Sequence, residues 1–130
     1  MTRFVIDGMN VIGTRPDGWW RDRDAAVRRL LTGLQRAVER SGDEITLVVD
    51  GRPLTDLPEG VHHGVTVRYA SRRGRDAADD RIVELVETDE DAGELHVVTS
   101  DRALAARVSA LGATTEGARA FLGRLERFGD

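Results

Sequence analysis

Residues 3–13 read Arg-Phe-Val-Ile-Asp-Gly-Met-Asn-Val-Ile-Gly. A short apolar run, Phe4 to Ile6, ends on Asp7, with Gly8 behind it and Asn10 three places on. Asp before Gly is ordinary turn chemistry. A carboxylate at the end of a buried strand is also a natural corner of a site. Deciding between the two requires the rest of the chain.

Two further β-branched apolar runs resemble the first: Ile45–Asp50 (ITLVVD) and Leu95–Thr99 (LHVVT). Val65–Ala70 (VTVRYA) alternates more and suits a strand nearer an edge. A weak fifth lies around Ala113–Thr115. Helical spacing fills the intervals. Ala26, Leu30, Leu34 and Val38 form one stripe, stopped by Gly42. Asp76–Thr88 places Ile82, Leu85 and Val86 on one side, Arg102–Leu111 closes at Gly112, and Gly117–Phe128 presents Phe121, Leu122 and Leu125. Strands alternating with helices predict an α/β fold with a mainly parallel central sheet and helices on both faces. No repeat and no Pro-, Gly- or Ser-rich linker divides the 130 residues, so a single domain over 1–130 is expected.

In open parallel sheets, ligands bind beyond the carboxyl ends of the strands. Asp7, Asp50 and Asp101 all fall at such ends. Asp76, Asp79 and Asp80 begin a helix that follows a strand, which delivers them to the same edge. Taken singly, each has a plain structural role: Asp101 and Asp76 as helix caps, Asp79 facing a helix dipole, Asp7 and Asp50 in turns. Their conjunction is the signal. Gathered carboxylates repel and hold raised pKa values unless a cation intervenes. Mg²⁺ or Mn²⁺ suits an all-oxygen site, and such ions support phosphodiester hydrolysis. Asp79 shares a helix face with Ile82, Val83 and Val86, so it points inward. Asp80 is turned about 100° away.

Composition narrows the chemistry. The chain has no cysteine, which excludes disulfides, thiolate zinc and cysteine nucleophiles. All 19 basic residues are arginine, which excludes a Walker A lysine and the late lysine of receiver domains. Met9 stands where phosphatases of the haloacid dehalogenase type carry a second Asp. No apolar run approaches the roughly 20 residues of a membrane span, and the N-terminus lacks a signal-peptide pattern, so a cytoplasmic location is expected. His62 and His63 sit in the stretch 53–64, read as a solvated loop, and His96 is read as packed in a strand.

The net charge of −4 gives no global pull on nucleic acid, so local placement decides. Arg68, Arg72, Arg73 and Arg75 crowd the segment before Asp79 and are candidates for RNA phosphates. Trp19 and Trp20 follow the first strand. Aromatic faces there suit stacking on unpaired bases, against the alternative that one tryptophan plugs the core.

The stretches VIDGMNVIG, VVDG, RDAADDRIVEL and VVTSDRAL resemble, in order and spacing, the YacP-like NYN proteins of the PIN-like nuclease superfamily. The resemblance implies a PIN-like three-layer sandwich and a metal-dependent ribonuclease; a bacterial branch acts on RNA at translating ribosomes. It matches Asp7, Asp79 and Asp101 to acidic metal positions, with Asp50 as a further acid. It also matches Asn10 to the first motif and Ser100 to the residue before the last aspartate. The expectation is a Mg²⁺- or Mn²⁺-dependent endoribonuclease acting on single-stranded RNA or mRNA, with the ribosome as a further partner. The alternatives are a catalytically silent RNA- or ribosome-binding adaptor and, third, a phosphomonoesterase.

Overall fold

The computed structural model describes residues 2–70 and 77–128, excluding the Phe128 side chain. Six strands form one sheet: β1 (Arg3–Asp7), β2 (Glu44–Asp50), β3 (Gly60–His62), β4 (Val65–Ala70), β5 (Leu95–Val98) and β6 (Thr114–Glu116). Their order is β3-β4-β2-β1-β5-β6. Only the β3–β4 pair is antiparallel. Arg72, Arg73, Arg75 and Asp76, singled out in the sequence, lie outside the described residues.

Period-two alternation sorts the strand side chains between two cores. Phe4, Ile6, Ile45, Leu47, Val65 and Val67 face one side. There they are covered by α1 (Gly8–Gly13), α2 (Arg23–Ser41) and α5 (Ala118–Phe128). Val5, Val48 and Val97 face the other side, against α3 (Ala77–Glu87) and α4 (Arg102–Ala110). The result is the three-layer α/β sandwich that alternating strands and helices predict.

Two elements were not visible in the sequence. Residues 8–13 form a helix rather than a turn, and Gly8 serves close approach rather than an unusual backbone angle. A Cβ there would lie 2.7 Å from the Val48 carbonyl oxygen and 3.0 Å from Leu47 Cδ1. The stretch 53–64, read as a solvated loop, contains β3 and buries Leu54 and Leu57. Tyr69 explains why: its hydroxyl donates to the Leu57 carbonyl (2.5 Å) and accepts from the Leu54 amide (3.4 Å). That buried phenol pins the segment from inside the sheet, and burial raises its pKa. His62 therefore belongs to an edge strand, its Nε2 2.6 Å from the Pro58 carbonyl oxygen.

Strand order reverses beside β1. The chain moves from β1 outward to β2 and β4, then returns to β5 on the other side. The crevice at such a switch point, outside the carboxyl ends of the strands, is where α/β sheets place ligands. In this molecule it lies between the ends of β1 and β5.

Candidate active site at the carboxyl edge

Asp7 occupies that crevice. It is 5% exposed, and its only buried polar companion among the described residues is Thr99, 3% exposed. Thr99 donates its hydroxyl to Asp7 Oδ2 at 2.8 Å and accepts the Asp101 amide at 3.1 Å. Burial is the main influence on Asp7 and pushes its pKa from 3.8 up to about 6. The Thr99 hydroxyl and the Asn10 backbone amide act against this, while the charges of Asp79 and Asp101 push further upward. The charges of two other carboxylates thus reach Asp7 across the crevice. A buried carboxylate with this much charge around it is poorly satisfied without a cation.

Each neighbour arrives by a different element. Asp101 follows β5 and caps α4, its Oδ1 accepting from the amides of Ala103 (2.9 Å) and Leu104 (3.1 Å). Its cap role and its place beside Asp7 coexist, because one oxygen serves the helix. Asp79 lies in the first turn of α3, half-buried, in line with the buried Ile82, Val83 and Val86. Asp80 is exposed and turned toward α4, where Arg107 meets it at 3.1 Å. Of the two, Asp79 is the one whose charge reaches Asp7.

Asn10 and Ser100 form a brace. Asn10 Oδ1 accepts the Ser100 amide at 2.8 Å, tying α1 to the segment after β5. Ser100 Oγ in turn accepts the Ala118 amide at 2.9 Å. Gly117, just before α5, has no side chain to cap with, so a serine from across the sheet satisfies an orphan amide of the first turn. Thr99, Ser100 and Asp101 together tie β1, α1, α4 and α5 to one point.

Asp50 ends β2 on the same sheet face as Asp7, since Asp7 registers with Val48 two residues earlier. It is half-exposed and is not among the main influences on Asp7. Its backbone carbonyl, rather than its carboxylate, is engaged, by the Arg23 guanidinium. Arg68 registers with Val48 and so shares the row of Asp7 two strands away, roughly 10 Å at the usual strand spacing. Its guanidinium donates to the Val67 carbonyl at 3.3 Å. Among the described residues, no three acidic or histidine side chains close into a complete metal cage. An ion here would keep waters or substrate oxygens, as Mg²⁺ usually does.

The two tryptophans divide the roles weighed in the sequence. Trp19 is partly buried against the core, and Trp20 is 61% exposed. Their rings meet edge to face at 6.2 Å. The α2 N-terminus that follows reaches the carboxyl edge through Arg23.

Thr99 and Arg23 were missed in the sequence. Thr99 had a signal: a hydroxyl in the inward register of Val97, at the end of an otherwise apolar strand. Arg23 had none, because its partner is a backbone carbonyl 27 residues away.

This architecture is shared. Two crystal structures of Rae1 (YacP) from Bacillus subtilis superpose on 98% of this chain. A tryptophan-to-leucine variant does so with TM-score 0.78, 24% identity and 77% of its own chain covered. The second gives 0.74, 26% and 75%. The molecule is therefore an α/β domain of nuclease-like fold with an acidic carboxyl edge. It belongs to the YacP-like NYN domain family, whose profile matches residues 4–129. UPF0178 proteins of Xanthomonas oryzae pv. oryzae, from strains PXO99A and MAFF 311018, are each 41% identical over 106 residues, or 81% of this chain. The chain spans 59% of the length of those relatives. No helix among the described residues is long and apolar enough to cross a membrane.

Proposed function

We propose that this protein is a Mg²⁺- or Mn²⁺-dependent endoribonuclease that hydrolyses RNA phosphodiester bonds at the crevice between β1 and β5. The observation that carries the reading is the state of Asp7, buried beside two other carboxylates with its pKa raised to about 6. Its ionised form is costly in that setting, and a bound cation would offset the cost. The donor set fits a hard divalent ion: all oxygen, with no cysteine and no histidine in the group. Asp7, Asp79 and Asp101 would hold it, with Asp50 close enough in register to assist.

When bound, the ion would lower the pKa of a coordinated water and stabilise charge on a phosphate oxygen. The chain's own residues supply placement. Thr99 fixes one Asp7 oxygen inward by its 2.8 Å hydrogen bond. Asn10 holds the Ser100 backbone, and with it the position of Asp101. Arg68, on the row of Asp7, is placed for a substrate phosphate. Trp20, exposed above the partly buried Trp19, offers a face for an unpaired base. These features favour single-stranded RNA or mRNA over a phosphomonoester, which needs neither an arginine at that distance nor a stacking face. Cytoplasmic action at the ribosome is the setting the family resemblance suggests.

The test is incubation of labelled single-stranded RNA with the protein in Mn²⁺, Mg²⁺ or chelator, beside Asp7→Asn. Cleavage is expected with either ion, and none with chelator or the variant. Binding without cleavage under every divalent ion would favour the adaptor reading instead. Full activity of Asp7→Asn in chelator would overturn both the metal and the role of Asp7.

A further inference from the structure

α2 is an amphipathic helix whose inner stripe is buried from Ala26 to Ala37. Its outer side carries Arg29, Arg36 and Arg40, all exposed. Spacings of seven and four residues keep them within about 40° of one another, at steps of roughly 10 and 6 Å along the axis. None of the three stands within ion-pair distance of a carboxylate among the described residues. Their neighbours differ: Arg28 is held by Asp56 through two nitrogens, at 2.8 and 3.0 Å. Glu126, beside Arg29 in the cleft toward α5, is held by Arg15 at 2.7 Å. Glu39 is the acid on the outer face itself.

Between the arginines the helix is hollowed. Thr32 and Gly33 floor a shallow concavity of about 410 Å³, rimmed by Arg28, Arg29 and Arg36. Thr32 turns its hydroxyl back to the Arg28 carbonyl at 3.0 Å, which keeps the floor low. In a chain of net charge −4, two unpaired arginines on the rim of one hollow, with Arg40 a turn further along the same face, are a local reversal of sign.

We infer that the outer face of α2 is a second RNA-binding surface, which takes the phosphate backbone of the strand beyond the part held at the carboxylate edge. This rests on the proposed reading that RNA is the substrate. Charge complementarity names the partner, because unpaired guanidinium groups in a row suit phosphates. An acidic protein is the weaker fit. Protein interfaces centre on large apolar anchors, and the exposed ones here, Trp20, Val61 and Leu111, lie off this helix. The geometry also connects the two surfaces. α2 starts at the carboxyl edge, where Arg23 meets the Asp50 carbonyl, and runs about 28 Å away over its 19 residues.

The experiment compares the parent with Arg29→Ala/Arg36→Ala/Arg40→Ala. Binding of a single-stranded RNA of roughly 25 nucleotides is measured across salt concentration, and cleavage of a hexanucleotide is measured in Mn²⁺. Each lost phosphate contact flattens the salt slope by about 0.7, so a decrease near 2 is expected, with affinity at least tenfold weaker. The hexanucleotide, too short to span both surfaces, should be cleaved at the parental rate. An unchanged slope and affinity would overturn the inference. So would a poly-glutamate chain that displaces the long RNA at matched charge concentration, since the face would then be a general acidic-partner surface. If the parent fails to cleave any RNA, the proposed activity is lost, while the slope still decides this surface.

Discussion

Two aspartates in this chain stand in nearly the same words. Val5-Ile6-Asp7-Gly8 ends β1, and Val48-Val49-Asp50-Gly51 ends β2, its parallel neighbour. Their fates differ. Asp7 is 5% exposed and runs straight into a helix, whereas Asp50 is half-exposed and runs into a turn with Gly51 at φ +96°. The residues beyond the glycine decide. Met-Asn-Val-Ile after Gly8 can bury Val11 and Ile12 on a helix, while Arg-Pro after Gly51 cannot continue one. Position in the sheet does the rest. β1 is central and flanks the switch point, so its last side chain is enclosed from β5, α3 and α4. A strand-terminal Asp-Gly is therefore no site in itself; topology selects which one becomes buried charge.

The largest effect that sharpens this contrast is Asp7→Asn. Loss of a buried metal-facing carboxylate is expected to reduce RNA cleavage roughly a thousandfold, about 4 kcal/mol of transition-state stabilisation. Stability should move the other way. Asp7 has a raised pKa, so below 3.8 both the folded and unfolded forms are protonated and no penalty exists. Between 3.8 and about 6 the unfolded chain ionises first, and the folded state loses stability as pH rises. Above that window the penalty is constant, on the order of 3 kcal/mol, before the cost of burying an amide in its place. Asp7→Asn should thus melt higher than the parent at pH 8 without metal, with the gain vanishing by pH 4. Parental activity should also fall as pH drops through about 6, where a proton competes with the ion. Thermal melts at both pH values check the sign, and equal shifts at pH 8 and pH 4 would remove burial of charge as the cause.

The glycines give the next contrast. Gly8→Ala forces a methyl within 2.7 Å of a backbone oxygen in the sheet, which cannot move aside. A loss of about 3 kcal/mol is expected. Gly51→Ala meets only the Arg23 guanidinium, at 3.1 Å, and strains a positive φ. About 1 kcal/mol is expected there. Denaturant midpoints for the two variants test this; equal losses would mean that Gly8 is merely a turn residue.

Thr99→Val keeps the shape and removes the hydroxyl that meets Asp7 and the Asp101 amide. The Asp7 pKa should rise further, because the bond that favours its ionised form is gone. Metal affinity is expected to fall 10–100-fold, as is usual for partners of a ligand. The acid limb of the pH–rate profile should move to higher pH, a change that simple loss of stability would not produce.

Five of the six strands, four of the five helices and the acidic edge were legible because they rest on local periodicity and on a general rule for parallel sheets. Asp7, Asp79 and Asp101 could be named from position alone. What escaped was non-local. α1 follows Asp-Gly, which locally favours a turn, and forms because Val11 and Ile12 gain a core. β3 is three residues long and exists through Tyr69, whose hydroxyl holds the preceding segment. Ser100 entered the candidate site through the family resemblance, and its hydroxyl caps a helix 18 residues later, which no local pattern shows. Sequence patterns carry strand ends well, and they carry poorly the bonds that cross between elements.

The smallest expected effect closes the comparison between the two aspartates. Asp50→Asn removes one charge from a half-exposed position whose backbone carbonyl, not its carboxylate, is held by Arg23. Its charge is not among the main influences on Asp7, so removing it should leave the acid limb of the pH–rate profile nearly in place. The melting temperature should shift by less than the equivalent of about 0.5 kcal/mol, as for surface substitutions generally. Cleavage should fall less than tenfold, through weaker hold on an outer water of the ion. A thousandfold loss matching Asp7→Asn would make Asp50 a direct ligand. The two strand ends would then be equivalent in chemistry despite their difference in burial, and burial would no longer mark the ligand.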